Sequence, residues 1–273
     1  MWRRLERDVS EIELTRLFIY PIKSTRGIEV SHAKVLERGL EHDRRFMVVD
    51  MGGNLITARQ HPKLLRVVTD IQEESLIVNA SGMATLRLPL EVEGLEGRVR
   101  VWFDWMPGLN AGETAHAWFS EFLGLNARLV WMPDHSERRM GSSYGPSRIS
   151  FADGNPLHLV NEASLADLET RIGFEIAVER FRPNLVVRGA PAYAEDLWTR
   201  LRFPDLEFQP CEACARCMVV NLEPNSGEYS LEPLKTLASY RRLGKSVLFG
   251  HHLYALGAGT LRVEERGVAV NRR

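Results

Sequence analysis

The chain has 273 residues, 44% hydrophobic and 26% charged, enough for one large domain or two modest ones with a sizeable core. Its 35 Lys and Arg against 36 Asp and Glu give a net charge of −1, which excludes a global electrostatic pull toward nucleic acid or an anionic membrane. The first eight residues lack the apolar run of a signal peptide, and no apolar segment reaches the roughly 20 residues that cross a bilayer. A cytoplasmic protein without a membrane span is expected.

In chain order, 12–20 alternates in polarity and is rich in β-formers, so it reads as a strand. Residues 45–57 read as two short strands around a turn at 50–54, and 65–71, 75–79, 84–90 and 97–103 continue as strands at short spacing. At 117–123 the period becomes helical, and Gly124 supplies a C-cap. A strand at 128–132 precedes a polar stretch, 133–147, that reads as a long loop. Its Arg138 and Arg139, with the nearby Arg148, either line a pocket or sit in solvent. A helix is expected at 162–171, capped near Asn161, and strands at 182–188, 206–208, after Cys217, and at 253–263. The expected class is β-rich α+β, with a barrel-like first half and a mixed second half.

The three cysteines, Cys211, Cys214 and Cys217, lie within seven residues. Without an export signal they are better suited to metal binding or reactivity than to disulfides. The spacing matches three positions of a bacterial iron–sulfur motif, but no fourth thiolate exists. Structural zinc also wants four ligands and would have to borrow His251 or His252. Cys211 and Cys214 read equally as small apolar residues. A single reactive thiolate is the remaining option, with the Arg216 cation expected to lower the pKa of Cys217.

Around this cluster, Cys214-Ala-Arg-Cys217 and the segment running on to Gly227 resemble the metal-binding segment of MOSC domains. Tyr20-Pro-Ile-Lys-Ser24 with Gly27, Asp43-Arg44, Ile56-Thr-Ala-Arg-Gln60, Ser150 to Pro156, Asn161 to Leu165, Phe181 to Leu185, Glu232 to Leu237 and Leu248-Phe-Gly250 follow the family pattern in order. The resemblance implies a β-barrel-like MOSC core at 126–273 packed with an N-terminal β-barrel-like MOSC domain at 12–125.

The subgroup with both parts is similar to molybdoenzymes that reduce amidoximes and N-hydroxylated bases. The implied cofactor is molybdenum held by molybdopterin, with Cys217 as protein ligand and catalytic residue. Implied cofactor-binding residues are Lys23, Ser24 and Arg44 at the phosphate, Asp153, Gly154, Asn155, Arg182 and Asn184 around the pterin, Arg216 beside the metal, and His252. Asp153 and His252 are candidate acids. Each has a bland reading: Lys23 and Arg44 as surface charges, Asp153-Gly154-Asn155 as a plain turn, His251-His252 as a strand end, and the six Trp as core. Where relatives commonly carry Cys-Ser-Arg-Cys, this chain has Ala215. The chain ends soon after the core, leaving no room for an appended iron–sulfur domain. Electrons for a small N-hydroxylated substrate are therefore expected from a separate ferredoxin- or flavin-type protein. The other functional reading is a sulfur-carrier or molybdopterin-binding module working through a Cys217 persulfide.

Overall fold

The computed structural model describes residues 9–141 and 145–271. The first eight residues and 142–144 of the expected loop lie outside the described residues. Strand accounts for 43% and helix for 18% of the fold, so the β-rich α+β expectation holds.

Seven strands close into a barrel. They run in the order Leu157–Asn161, Leu185–Arg188, Val9–Ile19, Arg266–Asn271, Trp198–Phe203, Leu206–Arg216 and Ser246–Ala255, and the last pairs back onto the first. Closure leaves no free barrel edge to aggregate. The alternation read in 12–20 is the cause of one wall. Ile12, Leu14, Leu17 and Ile19 face the barrel interior, while Phe18 and Tyr20 face the opposite side. Each such fully buried side chain contributes about 1.5–3 kcal/mol. Helices Glu162–Ile172 and Leu234–Tyr240 cover the outer face, where their Leu168 and Leu237 share a core with Val160, Phe181 and Phe249. Asn161 caps the first of them by accepting from the Ala163 amide at 3.2 Å.

The first half carries its own four-stranded sheet, in the order Phe46–Val49, Arg128–Trp131, Asp104–Asn110 and Glu96–Val101. A three-stranded sheet, Val68–Gln72, Ser75–Asn79 and Leu86–Pro89, adjoins it. Helix Glu113–Leu123 packs into the core between them through Ala115, Trp118, Phe119 and Leu123, and ends at Gly124 in the left-handed conformation. In space the two halves interleave. Strand Val9–Ile19 lies inside the second half's barrel, and His32–Leu36 pairs with Gly259–Arg262.

Local readings depart from the structure in five places. The second arm of the 45–57 hairpin forms only isolated bridges, Leu55 to Val49 and Asn54 to Arg100, and Pro62–Arg66 is a 3-10 turn that delays the expected 65–71 strand to Val68. Asp104–Asn110 is a strand despite Pro107 and Gly108. The strand read at 206–208 extends to Arg216, and the strand expected after Cys217 is instead a 3-10 turn, Met218–Asn221.

Gly27 leaves the space that the Tyr20 ring fills, since a Cβ there would stand 2.5 Å from Tyr20 Cε1. Gly27→Ala is expected to lower stability by about 1–3 kcal/mol in urea unfolding. Gly257→Ala, where a Cβ meets nothing within 4 Å, should stay within roughly 0.5 kcal/mol.

Candidate functional site

Where the two halves meet, a cleft of about 250 Å³ opens. Its walls come from the end of the first strand, the 152–158 bend, the turn after Phe181, and the end of strand Leu206–Arg216. All eleven residues singled out from the sequence line it: Lys23, Ser24, Arg44, Asp153, Gly154, Asn155, Arg182, Asn184, Arg216, Cys217 and His252.

The electrostatics are lopsided. Lys23, Arg44, Arg59, Arg182 and Arg216 face the cleft against one lining carboxylate, Asp153. Arg44 and Arg182 both lie over the Tyr20 ring, 4.3 and 4.2 Å from its centroid, a cation–π arrangement on a fully buried platform. Burial pushes the Tyr20 phenol above its ordinary pKa, so the hydroxyl stays protonated and donates to Pro183 O at 3.1 Å. Arg44 donates to Asp43 behind it, to Asn184 Oδ1 at 3.1 Å and to Arg182 O at 3.2 Å. Burial lowers Arg182 to about 10, still charged at neutral pH, and its Nη1 donates to Thr25 O at 2.7 Å.

Lys23 is buried and donates to Phe151 O at 2.7 Å and to Asp153 Oδ1 at 2.6 Å. Burial pulls its ammonium down to about 8, with Asp153 offsetting part of the effect. An incoming anion would stabilise the charged form. Burial works against ionisation of Asp153, but Lys23, the Trp102 indole N–H at 3.0 Å and Arg59 outweigh it and hold the carboxyl below its usual range.

The thiols divide differently from the expectation. Strand alternation puts Cys214 and Arg216 on one face, so the guanidinium turns to Cys214, not Cys217, with Nη1 2.8 Å from Cys214 Sγ. Burial would raise the Cys214 pKa, yet Arg216 and His252 together bring it down to about 7. Burial likewise opposes charging of His252, but Cys214 draws its pKa above the ordinary value. Cys217 lies half-buried just past the strand end and lines the cleft. Cys211 lies outside the cleft lining, and burial pushes its thiol up to about 12. Among the described residues, no three His, Cys, Asp or Glu side chains converge as a metal-ligand cluster.

Asn184 spends its side chain on bracing. Oδ1 accepts from Arg44 and from the His158 amide, and Nδ2 donates to Phe18 O. Arg138 does not line this cleft and is not solvated. It is buried behind the bend and donates to Ser150 O, Ala152 O and Asp153 O at 2.7, 2.6 and 3.1 Å. Arg139 and Arg148 pair with Glu137 and Glu37 away from the cleft.

His158, Arg59 and Trp102 were missed as site residues. His158 interrupts an apolar strand, and burial plus Arg216 hold it neutral, so its Nε2 accepts from Arg216 Nη1 at 3.3 Å. Arg59 sits inside the quoted 56–60 motif, and Trp102 had been read as core. Three buried polar atoms of cleft residues lack protein partners: Asn155 Oδ1, Arg216 Nε and His252 Nδ1. An unpaired buried polar atom costs about 1–3 kcal/mol, which a polar ligand could recover.

Thiolate is the alkylating form, so labelling rises with pH through each thiol's pKa. Iodoacetamide labelling of Cys214, followed by peptide mass spectrometry, should rise through pH 7 and level off, while labelling of Cys211 keeps rising beyond pH 9. Arg216→Met should move the Cys214 midpoint upward.

Known proteins resemble this chain in sequence along nearly its whole length. Residues 11–126 match the MOSC N-terminal beta barrel domain and residues 146–268 match the MOSC domain. The chain is 34% identical to mitochondrial amidoxime-reducing component 1 of Homo sapiens over 282 residues, covering 96% of this chain and 83% of that protein. It is 33% identical to mitochondrial amidoxime reducing component 2 of Rattus norvegicus, covering 96% and 86%. Against component 1 of Mus musculus the identity is 32%, covering 96% and 85%. The chain therefore belongs to the family of MOSC-domain proteins with an N-terminal MOSC barrel that includes the amidoxime-reducing components.

Proposed function

We propose that this protein is a molybdenum-cofactor-dependent reductase of small N-hydroxylated compounds, such as amidoximes and N-hydroxylated bases, fed with electrons by a separate protein. The observation that carries the reading is the convergence of a free thiol, Cys217, with a five-cation wall in one cleft.

Those residues fit molybdopterin on their own chemistry. Lys23, Ser24 and Arg44 would take the phosphate, which supplies the counter-charge that this wall lacks. Asn155 Oδ1 and Arg216 Nε, unpartnered in the fold, suit the donor and acceptor edge of a pterin. Cys217 would hold molybdenum, because a thiolate suits a metal already bound by sulfur. When bound, the group supplies the two-electron redox chemistry.

The chain's own residues supply orientation and protons. Reduction follows R–NHOH + 2H⁺ + 2e⁻ → R–NH₂ + H₂O. His252 presents an unpartnered Nδ1 beside Cys214 and offers a titratable nitrogen in the cleft. Asp153 stays ionised while Lys23 and Trp102 hold it, so its part is to anchor Lys23. Arg216 holds the strand end in place through Phe181 O at 2.7 Å.

Protein purified from a host that makes molybdopterin should carry about one molybdenum per chain, as one thiolate ligand position implies. Cys217→Ala should lose activity on hydroxylaminopurine or an amidoxime by more than the roughly 10–100-fold that loss of a supporting residue costs. Unchanged activity in Cys217→Ala refutes the reading, and a Cys217 persulfide without metal supports a sulfur carrier instead.

A further inference from the structure

The hairpin formed by Glu96–Val101 and Asp104–Asn110 turns through two residues only, since Val101 pairs directly with Asp104. Such turns favour Asn-Gly or Gly pairs because they need left-handed backbone. Here they are Trp102 and Phe103. Trp102 adopts φ +54°, a strained backbone for a bulky residue, and Phe103 is 97% exposed. Trp102 has a local reason, its indole N–H on Asp153. Phe103 has none within the fold.

The outward face of the same hairpin is basic. Arg100 lies directly across from Trp105 and Arg98 across from Pro107, with guanidinium carbons 5.4 and 5.3 Å from the Trp105 ring. Arg59 lies 4.5 Å over the Trp102 ring. Among the described residues none of these three arginines makes an ion pair, and only Arg59 feels a carboxylate, Asp153, from farther off. The hairpin's own acids are taken, Asp104 by Arg138 and Glu96 by His135. In a chain of net charge −1, this is a local concentration of cations around an exposed aromatic. It also touches the cleft directly, because Trp102 and Arg59 line both. Central aromatics and arginines are the residue types that carry binding energy at protein interfaces.

We propose that this hairpin tip is the docking site for the electron donor, a small acidic one-electron carrier protein, with Phe103 as the apolar anchor and Arg98 and Arg100 facing its carboxylates. The assignment rests on the reductase reading. Two reduced carriers each give up one electron for every N–O bond reduced, and solvent supplies the two protons. Electrons then enter beside Trp102, one indole away from the cleft.

The test uses the molybdenum-loaded protein, a reduced acidic [2Fe–2S] ferredoxin as the carrier, and reduced methyl viologen as a small dye that needs no docking. Phe103→Ser and the double variant Arg98→Glu/Arg100→Glu should keep viologen-driven reduction at the unmodified rate. With ferredoxin as donor, kcat/KM should fall about tenfold, and the steep salt dependence of the unmodified protein should flatten in the double variant. Calorimetric binding of oxidised ferredoxin should weaken in parallel, independently of turnover. Equal ferredoxin binding and rates in all three proteins overturn the proposal, as does the absence of low-salt binding to the unmodified protein. A raised KM for the N-hydroxylated substrate with viologen overturns it in favour of a substrate-binding tip. Failure of viologen-driven turnover in the unmodified protein instead counts against the reductase reading, while the binding measurement still decides the docking surface.

Discussion

The cleft depends on holding several like charges together out of bulk water without a carboxylate for each. Withdrawing a cation from water is expensive unless its N–H groups are met by oxygen or by an aromatic face. The fold meets this in one way throughout. Tyr20 gives its ring to Arg44 and Arg182, and carbonyls of Thr25, Phe151, Phe181 and Arg182 accept the donors. Among the described residues, Asp43 pairs with Arg44 and Asp153 with Lys23. The result is a wall whose cations are positioned and desolvated but under-neutralised, which is how an anion site is prepared in advance.

That preparation carries a cost in backbone as well as charge. Among the described residues eight non-glycine positions have positive φ, and four of them, Ser24, Arg44, Trp102 and Arg182, line this cleft. Strain of this kind persists only where surrounding packing over-determines it. Both sides here are well packed. The closed barrel buries Leu14, Leu17, Leu185 and Leu253 completely, and the first half buries Leu64, Leu76 and Phe119. The rigid cores lie on either side of the cleft and the irregular backbone lies between them, the usual division between scaffold and site.

The sequence carried the class, and the family resemblance named eleven residues that line one cleft, but neither gave their wiring or the presence of His158, Arg59 and Trp102 beside them. The period-2 pattern of 12–20 and the Asn161 cap were readable because local rules set them. The barrel closure was not, because pairing of Ser246–Ala255 with Leu157–Asn161 joins segments about ninety residues apart. Arg216 was assigned to Cys217 from adjacency. The strand continues through Arg216, so the face it shares is that of Cys214; the expected strand stopped at Phe208, and beyond that point Pro210 and the bulges on either side of Ala213 break the regular alternation. Arg138 was judged by its polar surroundings, whereas its guanidinium replaces missing backbone partners in a bend that forms no ladder. Both errors concern where a long side chain goes, which tertiary contacts decide.

Asp153 ties these features into one unit. Its Oδ1 accepts from Lys23 inside the cleft and from the Trp102 indole at the rim. Burial pulls the Lys23 ammonium down, and Asp153 offsets part of that pull. A contact at the hairpin that drew the indole away would leave the carboxylate to Lys23 and Arg59 alone and so change the field at the end of the cleft where an anion would sit. The rim and the cleft wall are therefore linked through a shared hydrogen-bond acceptor.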